Sequence, residues 1–366
     1  SILCNNLRIA YPDAQIDYLV YESTVAVLKG NTAISNVILY NKEYRKSRIK
    51  FLKLAFKIRK EKYDIVIDAY SKLESWIFVF LSGAKKRISY KKPGREFLYT
   101  DNVPFAIFPE TNMGLAIERR LSLLKPLHLD IEIDPYPKLF VSDKEKQETI
   151  SLFEKHQVQK NRKTVMISLL GSESVKTYPL LVDEIAKHDV NILFNYFPKQ
   201  LKDAQKIYDA CAKTTQEKIY FDLFGDSLRS FIAIMNHCDL IIGNDGGAIN
   251  MAKALKKPSF IIFSPWIEQK IWATFEDGIH HQSVHLKDFK PDLIEGVSEK
   301  ELKKNTLELY KEFTPDFIIP QLDTFLNTNL KTAENSLKIE NIKLPLSALI
   351  ITYNEEKHIA EILQQL

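Results

Sequence analysis

Short apolar runs alternate with amphipathic helical stretches along most of this chain, and the alternation occurs twice. That pattern limits the fold more than any other feature. Buried parallel strands need crossover helices, so it specifies an α/β architecture with sheets covered on both faces. In the first series the spacing predicts strands at Ile16–Val20, Val37–Tyr40, Ile65–Ala69 and Arg87–Tyr90, and helices over Arg45–Glu61, Leu73–Leu81 and Gly114–Leu124. From Asp130 to Ser142, acidic and apolar residues alternate around Pro135 and Pro137, which disfavour a helix and mark a linker. The second series has strands at Thr164–Leu170, Asn191–Phe197, Lys218–Phe221, Leu240–Ile242 and Ser259–Phe263, closed by a helix over Glu299–Phe313.

Two such halves predict an N-terminal Rossmann-like domain over residues 1–135 and a C-terminal one over 136–326, facing each other across a cleft. Residues 327–345 are polar and weakly patterned and read as a linker. Residues 346–366 read as the start of a further domain, because one strand and one helix cannot bury a core. The helix-like opening after Ser1 leads straight to a strand, so the first domain is expected to lack its first strand.

The longest apolar run, Trp76–Leu81, falls far short of the roughly 20 residues that cross a bilayer. Cys4, Cys211 and Cys238 fit no disulfide framework or zinc pattern, and a reducing cytoplasm is expected. Net charge is only +4, yet residues 42–62 hold ten Lys or Arg against two Glu. Ile49, Leu52, Phe56 and Tyr63 recur there at helical spacing. Two readings stay open for that stretch: a packed helix with solvated lysines, or peripheral contact with an anionic membrane. No aromatic-and-basic reading motif accompanies the charge, so nucleic acid is not an expected partner.

Two segments carry candidate chemistry. In CDLIIGNDGGAINMAKALKKPSFIIFSP a strand runs into Gly243, Asn244, Asp245, Gly246 and Gly247 and then a helix. Glycines let backbone amides at a helix start approach an anion, and the helix dipole favours a diphosphate there. Asp245 is placed to cap that helix or orient the loop. In SLLGSESVKTYP, Ser172 and Lys176 follow the second domain's first strand, at the edge where open sheets place ligands. A plain strand, turn and helix with an Asp cap and no ligand remains the alternative for the first segment, and a solvated surface lysine the alternative for Lys176. His280, His281 and His285 lack the spacing of a metal site, so no metal is expected. Trp266 and Trp272 read equally as cleft lining or core.

These segments, with FGDSLRSFIAIMNH before them and the KTYP element, resemble glycosyltransferase family 9, the ADP-heptose:lipopolysaccharide heptosyltransferases; the likeness covers residues 1–320. It implies a GT-B fold and an inverting, metal-independent transfer of a sugar from a nucleotide-diphosphate donor such as ADP-heptose to a glycolipid or lipopolysaccharide-core acceptor, with no cofactor. It further implies that Ser172 and Lys176 contact the donor diphosphate, that Asp245, Gly246 and Gly247 form a second cradle, and that Asp226, Ser227 and Leu228 lie along the base. The family's acidic general base sits on a loop expected upstream of Ser1, so no catalytic residue is named. Asn250 stands where the family commonly has His, which leaves the sugar open. The tail ALIITYNEEKHIAEIL resembles the opening of family 2 glycosyltransferases.

A nicotinamide enzyme is disfavoured, since no GxGxxG follows an expected strand. A nucleotide-sugar-binding module and a GT-B epimerase-like enzyme, inactive as a transferase, remain alternatives.

Overall fold

The structure, a computed structural model, describes residues 1–168, 179–196 and 200–331. The first half runs α1 (Ile2–Ala10), β1 (Asp17–Tyr21), β2 (Asn36–Tyr40), α2 (Lys42–Lys46), α3 (Arg48–Lys60), β3 (Ile65–Asp68), α4 (Leu73–Ser82), β4 (Lys86–Tyr90), β5 (Asp101–Val103) and α5 (Leu115–Ser122). The expected helix over Arg45–Glu61 is two helices. Ser47 between them adopts extended backbone, and its hydroxyl accepts from the Lys50 amide to start α3.

All pairings in this half are parallel, but β1–β2 and β3–β4–β5 form separate sheets. Side chains tie β1 to β3 at both ends: Tyr63 Oη donates to Asp17 Oδ2 at 2.5 Å, and the Tyr21 and Tyr70 hydroxyls lie 3.0 Å apart. Helix α1 packs on both pieces, with Leu3 against the cluster that holds Ile88 and Val103, and Cys4 in the cluster with Ile16 against which Leu7 and Tyr18 pack. Every residue of β1 is only half-buried, unlike β8 of the second half, whose residues are all buried.

No regular element occupies residues 130–142. Asn6 holds that segment to α1 by exchanging hydrogen bonds with the backbone of Asp134. The second half continues with α6 (Asp143–Lys155), β6 (Lys163–Ser168), α7 (Pro179–Ile185), β7 (Val190–Asn195), α8 (Leu201–Ala210), α9 (Lys213–Gln216), α10 (Leu228–His237), β8 (Leu240–Asn244), α11 (Gly247–Ala254), β9 (Ser259–Ile262), α12 (Gln269–Trp272), β10 (His281–Val284), α13 (Glu299–Lys304), α14 (Thr306–Glu312) and α15 (Pro315–Asn329). Its parallel sheet has the order β10-β9-β8-β6-β7, with β8 in the middle. Val165, Ile192, Leu240, Ile241 and Phe260 are fully buried in it, as strands covered on both faces require. The expected strand Lys218–Phe221 is reduced to a single parallel bridge from Ile219 to Ile192.

The helix closing this half is α15, not Glu299–Phe313, which breaks at Asn305. Residues 327–329, expected in a linker, are its last turn. Pro320 inside a helix costs about 3 kcal/mol. Ile318, Leu322, Phe325 and Leu326 are fully buried on the opposite side of that balance, at about 1.5–3 kcal/mol each, so packing prevails. The expected further domain at 346–366 lies outside the described residues. No described helix is long and apolar enough to cross a membrane.

Candidate functional site

Two described loops leave the carboxyl edge of the second sheet. From β8 the chain turns through Asp245 and Gly246 into α11. Ser168, the last residue of β6, is in register with Gly243 of β8, so β6 ends at the same edge one strand away. The turn Asp226–Leu228 follows the Ile219 bridge, which runs parallel to β7, and so lies at that edge as well. Ser172 and Lys176 lie outside the described residues.

The glycines of the first loop divide by role. A Cβ on Gly243 would sit 2.6 Å from the Ser168 Cβ, so its lack of a side chain serves strand packing. A Cβ on Gly246 or Gly247 would meet nothing within 4 Å. Helix α11 has Gly246 as its N-cap and no side-chain cap. The space beside these glycines is therefore open at the positive end of the helix dipole, an arrangement suited to an anion.

Asp245, expected to cap this helix or orient its loop, is not the N-cap, which is Gly246. Burial raises the pKa of Asp245, and the positive charge of Lys253 partly offsets the shift. The other site residues make local bonds. Ser227 caps α10, its Oγ accepting from the Ser230 amide at 3.1 Å, while Asp226 Oδ1 accepts from Ser230 Oγ at 2.8 Å. Leu228 is the first residue of that helix. Asn250 is exposed, its Nδ2 donating to the Gly246 carbonyl at 3.1 Å. Asp226, Ser227 and Leu228 thus share one turn, and Asp245, Gly246, Gly247 and Asn250 another, on one sheet edge.

Three features here come from the fold and not from a motif. Asn244 is buried at the end of β8, and its Nδ2 has no hydrogen-bond partner among the described residues. Lys253 is buried on α11 and donates to the Thr274 carbonyl, with Glu276 Oε1 3.9 Å away. Burial lowers its pKa to about 8, against the pull of Glu276 and Asp245. Arg229 on α10 reaches the first half of the chain, donating from Nη1 to the Ala26 carbonyl at 3.1 Å. Ala26 belongs to the 3₁₀ segment Glu22–Leu28 that leaves the carboxyl end of β1, so the carboxyl edges of both halves meet here.

On the first half, a hollow of about 410 Å³ is lined by Tyr40, Tyr44, Arg45, Arg48, Phe51 and Glu74. Arg45 lies 4.7 Å over the Tyr21 ring and donates to its hydroxyl at 2.6 Å. Aromatic walls beside guanidinium groups suit a sugar ring or an anionic substituent. Asp68, at the end of β3, is committed to structure: it accepts from the amides of Tyr70 and Ser71 and from the Tyr99 hydroxyl.

The histidines serve local contacts. His280 pairs with Asn329, His281 with Ser259, and His285 accepts from the Lys287 amide. Trp266 packs against the second core beneath Lys303, whereas Trp272 is exposed. All three cysteines are free and buried.

Residues 51–290 match the family model Glycosyltransferase family 9 (heptosyltransferase). Lipopolysaccharide heptosyltransferase 1 of Campylobacter coli is 26% identical over 267 residues, 69% of this chain and 75% of that one. The glycosyl transferase family 9 structure from Veillonella parvula superposes with a TM-score of 0.65 at 16% identity, covering 85% of this chain and 92% of its own. ADP-heptose lipopolysaccharide heptosyltransferase II of Escherichia coli superposes at 0.60 with 17% identity, covering 86% and 95%. The fold is of the GT-B type. The family 2 likeness of the tail falls outside the described residues. Since the matched segment includes both loops at the carboxyl edge of the second sheet, the diphosphate-compatible turn and the turn that starts α10, the chain belongs to glycosyltransferase family 9, the heptosyltransferase family.

Proposed function

We propose that this chain transfers a sugar from a nucleoside-diphosphate donor, with ADP-heptose the first to test, to a hydroxyl of a glycolipid acceptor of lipopolysaccharide type. The observation that carries this reading is the uncapped start of α11 behind Gly246 and Gly247, open to solvent and one strand from the end of β6. The relatives' names supply the donor and acceptor classes: one is an ADP-heptose lipopolysaccharide heptosyltransferase.

In this reading the α11 amides and the side chains of Ser172 and Lys176 hold the diphosphate. As the bond from the anomeric carbon to the diphosphate oxygen breaks, negative charge grows on the leaving group. Preorganised amides and an ammonium stabilise that charge without a metal. The acceptor hydroxyl attacks from the opposite face, which inverts the anomeric centre, and its proton passes to a base that we do not assign. The acceptor approaches from the first half, where the aromatic and arginine hollow offers a saccharide surface. This chemistry is set at the inner face of the cytoplasmic membrane.

The deciding experiment incubates the protein with ADP-heptose, other ADP-sugars and UDP-sugars, with and without a lipopolysaccharide-core acceptor, and follows nucleotide release and acceptor mass. Acceptor-dependent release with a matching mass gain supports transfer. Donor isomerised without acceptor assigns an epimerase-like enzyme instead, and donor bound but unchanged assigns a binding module.

A further inference from the structure

Helix α3 buries Leu54, Ala55 and Ile58 against the first sheet, and Phe51 packs alongside them. Its opposite side is not the polar face that such packing usually leaves. Ile49 is 70% exposed, Phe56 52% and Leu52 44%. At about 100° per residue these three share an arc of roughly 100° with Lys53 and Lys60. Helix α4 packs beside α3 on the same face of the sheet and adds Phe80 and Leu73, 67% and 64% exposed. The result is a surface of large apolar side chains interleaved with lysines.

The charge decides what covers it. Residues 42–62 hold ten basic residues and two acidic ones. Among the described residues the only ion pair these make is Lys50 with Glu43. A second copy of the chain would set this positive face against itself, which disfavours a homodimer. A nucleic-acid backbone would satisfy the lysines but leave the aliphatic side chains wet. An anionic bilayer satisfies both: lysines reach the phosphates while Ile49, Leu52 and Phe56 enter the boundary between headgroups and acyl chains.

The geometry points to the outer face of α3, extended by α4, as the surface on which this protein docks to an anionic membrane. Arg48 and Phe51 of the same helix line the hollow of about 410 Å³, so a bilayer laid on α3 lies beside it. The docking rests on exposed side chains and charge, independent of the donor reading. A chain that bound no nucleotide sugar would still be expected to bind vesicles.

Cosedimentation of the full chain with vesicles of mixed phosphatidylglycerol and phosphatidylcholine tests this. Binding is expected to the mixed vesicles and not to pure phosphatidylcholine, and to be lost at high salt. Lys53→Gln and Lys60→Gln are each expected to lower the partition coefficient about fivefold. Ile49→Ser with Phe56→Ser is expected to lower it about tenfold or more. All four side chains are exposed, so unchanged circular dichroism and Tm separate lost docking from lost fold. Equal binding to neutral vesicles, binding indifferent to these substitutions, or binding to duplex RNA with none to vesicles overturns the proposal.

Discussion

Arg229 grips Glu145 as a fork, with Nη2 2.6 Å from Oε2 and Nε 2.9 Å from Oε1. The same guanidinium donates to the carbonyls of Ala26 and Phe140, and Lys29 approaches Glu145 from the first half at 3.1 Å. One largely buried ion pair therefore joins β1's trailing segment, the stretch before α6, and α10. Removing one partner leaves the other charge desolvated and unpaired. Arg229→Ala is expected to cost about 3–5 kcal/mol in urea unfolding. Arg229→Lys keeps the charge but loses the planar fork, so it should recover only part of that. Faster proteolysis between residues 130 and 142 in Arg229→Ala would show that the pair holds the halves together. Equal stability of the variants would show that it does not.

The same pair sets an acid limit. Its hydrogen bonds to Arg229, Ser142 and Lys29 hold the Glu145 carboxyl far below the usual carboxylate range. A depressed folded pKa means that the unfolded chain takes up a proton first as pH falls. The stabilisation is then complete above the ordinary glutamate pKa and is lost on acidification below it. Burial, with the Lys253 charge adding to it, lowers His281 to about 4. The sign is the same: between the unfolded histidine pKa and about 4 the unfolded state binds the proton, so stability falls as pH drops through that window. Urea midpoints measured from neutral pH down to about 4 should decline for the native chain. His281→Gln should flatten the upper part of that decline and Glu145→Gln the lower part. Parallel curves for all three would remove both groups from the account.

Lys253 and Glu276 form a second charged pair that should behave as a unit. Lys253 Nζ bonds the Thr274 carbonyl, and Glu276 Oε2 accepts from Ser283 while its Oε1 has no hydrogen-bond partner among the described residues. Thr274 also lies against Gly114 of the first half, where an added Cβ would come within 3.0 Å of its Cα. Lys253→Met alone should destabilise by about 1–3 kcal/mol, because half-buried Glu276 loses its counter-charge and the Thr274 carbonyl loses its donor. Lys253→Met with Glu276→Gln should cost clearly less than the sum of the single changes. Strict additivity in that cycle would mean that the two charges do not interact.

How much of this was legible in the sequence follows from where the signal resides. The strands of the second sheet were readable because β6, β7, β8 and β9 are buried on both faces and spell continuous apolar runs. β10, His281–Val284, was missed because an edge strand with three polar residues carries no such run. β5, only Asp101–Val103, is too short to read. Helix α15 was obscured by Pro320, a local breaker that tertiary packing overrides. At the candidate site, the Gly246–Gly247 turn was legible because it is contiguous and chemically unusual. Arg229 with Glu145 and Lys253 with Glu276 were not, since each pair joins residues far apart in sequence and no spacing rule connects them. Asn244 was named within the glycine run, but that its amide is buried and unpaired is a property of the fold alone.

The donor site can be separated from ordinary fold chemistry at Gly247. A methyl group there meets no atom within 4 Å, and alanine suits a helix better than glycine does, so Gly247→Ala should leave Tm unchanged or slightly raised. If the α11 amides receive a diphosphate, that methyl instead occupies the space the phosphate oxygens need. Calorimetric titration with ADP-heptose should then show affinity falling tenfold or more, about 1.4 kcal/mol. Lys176→Ala should weaken binding by about 1–3 kcal/mol, the scale of a hydrogen bond to a charged group. A purely structural turn predicts the opposite: stability responds to Gly247→Ala and donor binding does not. Unchanged affinity in both variants would move the nucleotide away from this edge and leave the family's chemistry without a site here.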